Sequence, residues 1–205
     1  MKTLLVKYTP RNERSSTKKL LDAFREKIRN SETEELDLCS DVPDMFLEEN
    51  LLAYIQRNYL GNALTPEQKK LMSKMDRMTE QLKSADIVVV AFPMNNFSMP
   101  AAVKAWFDSV ILKGQTWDVK DGGYVGMMNG KKALVLVTSG GFYSKVPMVT
   151  WEHALSLTKL EFQFMGYSDV QGILAEGMNA GDDIKSVNLT KSIEQIQSIA
   201  QKWYN

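Results

Sequence analysis

An open, doubly wound parallel β-sheet with helices on both faces is the fold this sequence predicts, and three observations predict it. The first is Ile87-Val88-Val89-Val90-Ala91-Phe92, a run that is apolar at every position. A strand that must be covered on both faces belongs inside a parallel sheet. The second is rhythm, since strand-like and helix-like runs alternate along the whole chain. The third is size. At 205 residues and 44% hydrophobic, the chain can bury one sizeable domain and is short for two.

The elements follow in order. Thr3–Lys7 opens as strand one, and Leu20, Leu21, Phe24 and Ile28 share one helical face after it. Glu34–Leu38 is strand two; Leu71, Met75, Met78 and Leu82 form the next helical face. Ile87–Phe92 is strand three, followed by Val103, Phe107, Val110 and Ile111. Lys132–Val137 is strand four, followed by Leu155, Leu157, Leu160 and Phe164, with Gly166 as a stop. Asp169–Leu174 is strand five, and Ile193, Ile196, Ile199 and Trp203 close the chain. Two segments break the rhythm: Asp41–Leu64, with Phe46, Tyr54 and Tyr59, and Lys113–Gly130, with Trp117 and Tyr124. Insertions of that length serve as lids, as interface pieces or as plain surface elaboration. No repeat, low-complexity tract or linker divides residues 1–205, so one domain is expected.

Charge narrows the function. Lys plus Arg and Asp plus Glu number 25 each, so nothing suggests a basic face for nucleic acid or an acidic electron-carrier face. Cys39 is the only cysteine, which excludes an internal disulfide framework and fits a reducing compartment. Met1-Lys2-Thr3 enters a strand directly, without a leader-like apolar core. No apolar run approaches the roughly 18 residues of a membrane span. We therefore expect a soluble, cytoplasmic protein.

Three loops carry chemistry. After strand one comes Tyr8-Thr9-Pro10-Arg11-Asn12-Glu13-Arg14-Ser15-Ser16-Thr17, with hydroxyls clustered where a helix begins. Free backbone N–H groups and the positive end of a helix dipole can hold a phosphate there. Thr9, Ser15 and Thr17 would add hydroxyls, and Ser16 its N–H; taken alone, the stretch reads equally as an ordinary serine cap. No G-x-G-x-x-G follows any strand, and Gly130-Lys131-Lys132 lacks the rest of a P-loop. A mononucleotide phosphate held by hydroxyls and N–H groups is the phosphate reading that remains.

The second loop is Pro93-Met94-Asn95-Asn96-Phe97-Ser98-Met99-Pro100. Pro93 ends the strand, Ser98 is placed to cap the next helix and Pro100 fits its first turn. Asn95 and Asn96 offer amides while Met94 and Phe97 offer apolar surface, the mixture a flat, hydrogen-bonding ring such as a flavin requires. A polar helix-capping turn is the plainer alternative. The third loop, Val137-Thr138-Ser139-Gly140-Gly141-Phe142-Tyr143, has paired glycines that let backbone approach a flat ligand and point N–H groups at it. A tight turn would use the same residues. All three loops lie at carboxyl ends of strands one, three and four. In the flavodoxin-like strand order 2-1-3-4-5, those strands surround the switch point where ligands bind.

At these residues the chain resembles the FMN-dependent NADH–quinone oxidoreductases, or azoreductases, of flavodoxin-like fold. The similarity runs nearly end to end. It includes Ser15-Ser16-Thr17, Leu64-Thr65-Pro66-Glu67-Gln68, Pro93-Met94-Asn95-Asn96-Phe97, Lys104 with Phe107-Asp108, and Gly114-Gln115-Thr116-Trp117. Gly130-Lys131-Lys132-Ala133, Thr138-Ser139-Gly140-Gly141 and Ala175-Glu176-Gly177 complete it. The resemblance implies that Thr9 and Ser15, Ser16 and Thr17 hold the FMN phosphate. It implies that Pro93, Met94, Asn95, Asn96 and Phe97, with Thr138, Ser139, Gly140 and Gly141, line the isoalloxazine. It further implies a homodimer with sites at the subunit interface, where the two insertions would have a role. Asn95 stands where many relatives carry Tyr, and Ser139 where many carry Arg.

The expected activity is two-electron transfer from NADH or NADPH through FMN to quinones or azo compounds, by a ping-pong mechanism. Such chemistry needs no side-chain acid or base, and none is assigned. Phe97, Phe142 and Tyr143 are the expected surface beside the acceptor. The alternative is a flavodoxin-type electron carrier, but carriers tend to be acidic with a glycine in the first loop, and this chain has neither. A flavin-free regulatory module is the third reading.

Other residues are set aside. His153 is the only histidine, so a His-based triad or His-rich metal site is not available. Cys39 reads as a small core residue, and most methionines as core filler, with exposed ones near Met127-Met128 able to shape an adaptable pocket.

Overall fold

The apolar run becomes the central strand of the sheet, and the rest of the fold is arranged around it. The computed structural model describes residues 1–204. In chain order the elements are β1 (Lys2–Lys7), α1 (Ser16–Lys27), β2 (Glu32–Asp37), α2 (Glu48–Tyr54), α3 (Pro66–Ser84) and β3 (Ile87–Pro93). They continue with α4 (Ala101–Val110), β4 (Trp117–Lys120), β5 (Gly123–Gly126), β6 (Lys132–Thr138), α5 (Ala154–Phe164), β7 (Asp169–Ala175) and α6 (Asp182–Tyr204). Strands β2-β1-β3-β6-β7 form one parallel sheet in that spatial order. Counting only its own five strands, this is the expected order 2-1-3-4-5.

Alternation along β3 explains why no position in it is polar. Ile87, Val89 and Ala91 pack with Leu20, Leu21 and Phe24 of α1 and with Ile196 and Trp203 of α6. Val88, Val90 and Phe92 pack on the opposite face with Met78 and Leu82 of α3, Phe107 of α4 and Phe162 of α5. Each fully buried Val, Ile or Phe contributes about 1.5–3 kcal/mol. A one-residue slip would exchange the two faces, so the register is fixed by both cores together.

The edge strand β2 begins two residues before the predicted Glu34 and stops one short of Leu38. Its charged side chains blurred its bounds. Glu34 and Glu35 lie alongside Lys2 and Lys7 of β1 at 2.8 and 2.5 Å, so charge pairs do there what apolar contacts do in β3. Cys39 corrects an expectation: it is exposed rather than in the core. The chain has already left the sheet at Asp37 and turns, with the Ser40 N–H donating to the Asp37 carbonyl.

Both insertions are ordered. Within 41–64, α2 runs into a π-helical turn, Ile55–Tyr59, and docks Ala53 and Tyr54 against Met72 and Met75 of α3. Burial pushes the Tyr54 hydroxyl up to about 12, and the Lys113 N–H donates to it at 3.0 Å. Thr65 and Gln68 form a reciprocal cap at the start of α3, with Pro66 in its first turn. Within 113–130, β4 and β5 pair as a hairpin across Asp121-Gly122, both at positive φ. Trp117 and Tyr124 pack edge to face there, and both rings meet Phe164 at a tilt. Met127 is exposed there, whereas Met128 is buried in the main core.

Candidate active site

The carboxyl ends of β1, β3 and β6 meet around one cleft of about 240 Å³. Its walls include Arg11 and Ser15–Thr17 from the first loop, Pro93–Asn95 from the second and Thr138–Gly140 from the third. A larger groove of about 790 Å³ opens between α2 and α3, lined by residues such as Leu52, Leu71 and Lys74. None of its lining residues comes from the turns after β1, β3 or β6, so the smaller cleft is the candidate site.

The first loop is tied to the sheet by the Tyr8 N–H, which donates to the Ala91 carbonyl at 2.9 Å. Ser15 is the cap of α1, its Oγ accepting from the Lys18 N–H at 3.2 Å. The N–H groups of Ser16 and Thr17 precede the first internal hydrogen bond of the helix, so they have no partner within it. Thr17 is buried, and its Oγ1 is 2.6 Å from Thr138 Oγ1. Thr9 is buried behind the loop, where its carbonyl accepts from the Asn12 N–H; it does not line the cleft.

The second loop is a strained turn. Asn96 and Phe97 both sit at positive φ, +46° and +72°. Two bonds between Asn95 and Ser98, at 2.9 and 3.0 Å, close it, and the His153 N–H holds the Phe97 carbonyl at 2.9 Å. Left-handed backbone costs a non-glycine residue about 1–2 kcal/mol, which these bonds offset. Ser98 does not cap α4, contrary to the sequence expectation. Its backbone is spent on the turn, and Pro100 takes the cap position, its carbonyl accepting from Val103 and Lys104 at 2.9 and 3.0 Å.

In the third loop, Ser139 Oγ donates to the Gly141 carbonyl at 2.9 Å. The segment after β7 takes up the remaining carbonyls: Asn179 N–H to Gly140 at 3.1 Å, Gly177 N–H to Gly141 at 3.0 Å and Met178 N–H to Ser139 at 3.0 Å. With the carbonyls turned to that segment, the Gly140 and Gly141 N–H groups have no protein acceptor among the described residues. The Glu176 carboxylate accepts from the Tyr143 N–H and fixes where the loop leaves the site.

Asn96, Phe97 and Gly141 lie beside the cleft rather than in its wall. Phe97 stands exposed, edge to face with Tyr143 and Trp151 at centroid distances of 6.1 and 5.4 Å. Phe142 instead packs over Gly177. His153 is exposed and enters through its backbone only. Sequence reasoning missed Pro10, Arg11, Met178, Asn179 and Trp151. Only Trp151 carried a signal, as an aromatic between two loops.

The donor set fits a phosphorylated flat heterocycle: free N–H groups at a helix start, amides and free N–H groups at the next two turns, and apolar surface beside them. Comparison with known proteins decides which. A family model described as "Flavodoxin-like fold" matches residues 1–200. The FMN-dependent NADH:quinone oxidoreductase 2 of Halalkalibacterium halodurans is 32% identical over 208 residues, spanning 98% of this chain and 99% of that one. The chain belongs to the FMN-dependent NADH:quinone oxidoreductase family. Azoreductase of Bacillus anthracis strain Sterne superposes with a TM-score of 0.89 at 26% identity, over 98% of this chain and 99% of that one. An FMN-dependent NADH-azoreductase of the same species, solved in complex with FMN, superposes at 0.87 with 27% identity, covering 100% and 99%.

Proposed function

We propose that this chain is an FMN-dependent oxidoreductase that passes two electrons from NADH, and in the wider reading NADPH, to quinones or azo compounds by a ping-pong mechanism. Three separate turns opening on one cleft, the first and third with free backbone donors and the second with the Asn95 amide, is the observation that carries this. FMN held in this cleft would supply the two-electron redox chemistry between nicotinamide and acceptor.

The residues bind, orient and shield. The Ser16 and Thr17 N–H groups at the start of α1 meet the phosphate, with the Ser15 cap holding that turn in shape. Pro93, Met94, Asn95 and Thr138–Gly140 position the ring, and Asn96, Phe97 and Gly141 close its margin. The Gly140 and Gly141 N–H groups, already oriented by bonds to their carbonyls, stabilise negative charge at the ring edge without rearranging. Phe97, Tyr143 and Trp151 give the acceptor an apolar stacking surface, with Phe142 buttressing the loop.

The same reading makes the protein a cytoplasmic homodimer. Exposed Leu47, Leu51, Leu52, Leu60 and Tyr124 sit on the two insertions, a concentration of apolar surface that fits an interface. Among the described residues, no helix is long and apolar enough to cross a membrane.

Steady-state oxidation of NADH by the FMN-loaded protein with a benzoquinone tests the proposal. Parallel double-reciprocal lines are expected across fixed quinone concentrations. Absence of turnover with either nicotinamide would instead favour an electron carrier. Light scattering on the purified protein tests the dimer.

A further inference from the structure

Arg11 is the single charged side chain in the wall of the cleft. It forms no ion pair and its guanidinium has no hydrogen-bond acceptor among the described residues. The nearby Glu13 carboxylate is taken by Lys18, 3.3 Å away, so it does not neutralise Arg11. The third loop offers no cation, since Ser139 stands there with its hydroxyl committed to Gly141. A phosphate with about −1.5 to −2 charge would therefore meet only neutral donors, were it not for this residue.

From this we infer that Arg11 is the cofactor-retaining cation of the site, closing its guanidinium onto the FMN phosphate held at the start of α1. The inference rests on the FMN reading and adds to it a named determinant. A planar guanidinium pairs with phosphate oxygens through two parallel N–H bonds, which neutral hydroxyls and backbone donors cannot do. Placement supports the role. Arg11 precedes the short helical turn Asn12–Arg14, whose Arg14 N–H donates back to the Arg11 carbonyl at 3.1 Å, so the backbone presenting the guanidinium is itself ordered. Arg14 is an exposed cation three residues on that does not line the cleft, and it is the natural control.

The test compares binding of FMN and riboflavin to apoprotein of the wild type, Arg11→Gln and Arg14→Gln, followed by quenching of flavin fluorescence at two salt concentrations. Arg11→Gln should weaken FMN about tenfold, leave riboflavin within about twofold and flatten the salt dependence of FMN binding. Arg14→Gln should bind both ligands nearly as the wild type does. Unchanged FMN affinity in Arg11→Gln, equal losses for FMN and riboflavin, or equal FMN losses in both variants would each overturn the assignment while leaving the FMN reading intact. A wild-type protein that binds neither flavin would overturn both.

Discussion

Thr17 Oγ1 and Thr138 Oγ1 lie 2.6 Å apart in the buried interior, joining the first turn of α1 to the last residue of β6. The first and third loops of the cleft are thereby held by one bond between residues distant in sequence. Thr17→Val or Thr138→Val leaves the other hydroxyl buried and unpaired, a loss of about 1–3 kcal/mol. The double variant removes both polar groups and should cost less than the sum of the singles. Urea unfolding of the four proteins measures that coupling, and additive losses would show the pair to be energetically inert.

Phe97 carries a second prediction. At φ +72°, alanine bears the left-handed penalty and glycine does not. Both substitutions lose the same ring contacts with Tyr143 and Trp151. Phe97→Gly should therefore be more stable than Phe97→Ala by about 1 kcal/mol, despite glycine's greater freedom when unfolded. Equal melting temperatures would place the strain elsewhere in the loop.

Gly141 separates binding from folding. A Cβ there meets only the Tyr143 ring, at 3.5 Å, an ordinary contact. Gly141→Val should unfold close to the wild-type midpoint yet lose FMN affinity tenfold or more, about 1.4 kcal/mol per factor of ten. Full flavin occupancy in the purified variant, read from its visible absorbance, would mean that the ring lies away from this turn.

Glu161 on α5 predicts a pH dependence of stability. Its side chain is 11% exposed, its Oε2 has no hydrogen-bond partner, and Lys104 stands 3.9 Å away. Burial pushes its carboxyl up to about 7, with Lys104 opposing the rise and Asp108 adding to it. Between about 4.5 and 7 the folded chain keeps a proton that the unfolded chain has released. Stability therefore falls as pH rises through that window, by about 3 kcal/mol at most. Glu161→Gln should remove that slope and unfold at a higher temperature than the wild type at pH 8. A wild type and variant with identical pH profiles would show Glu161 to be charged throughout.

The strands were legible where burial demands one kind of residue. Nothing but a two-faced interior strand fits Ile87–Phe92, and the three loops then follow from where such strands end. The start of the edge strand was blurred because β2 is exposed and held by charge pairs at Glu34, Glu35 and Asp37, which leave no apolar alternation to detect. Asp121-Gly122 is a hairpin signal, overlooked because only four residues flank it on each side. Ser98 was misplaced because a serine before a helix resembles a cap until the turn before it claims its backbone. Arg11 and Asn179 are ordinary surface residue types, and only the converging chain gives them a place at the cleft.

The His153-to-Phe97 bond makes the aromatic wall a unit that can be exchanged. Tyr143 and Trp151 each meet the Phe97 ring, and a single main-chain link anchors the segment 142–153 to the turn after β3. Because that link uses backbone atoms, it survives any replacement that preserves the path of the chain. On the proposed reading, grafting this stretch from a relative would thus retune acceptor choice while the loop at the start of α1 stays untouched.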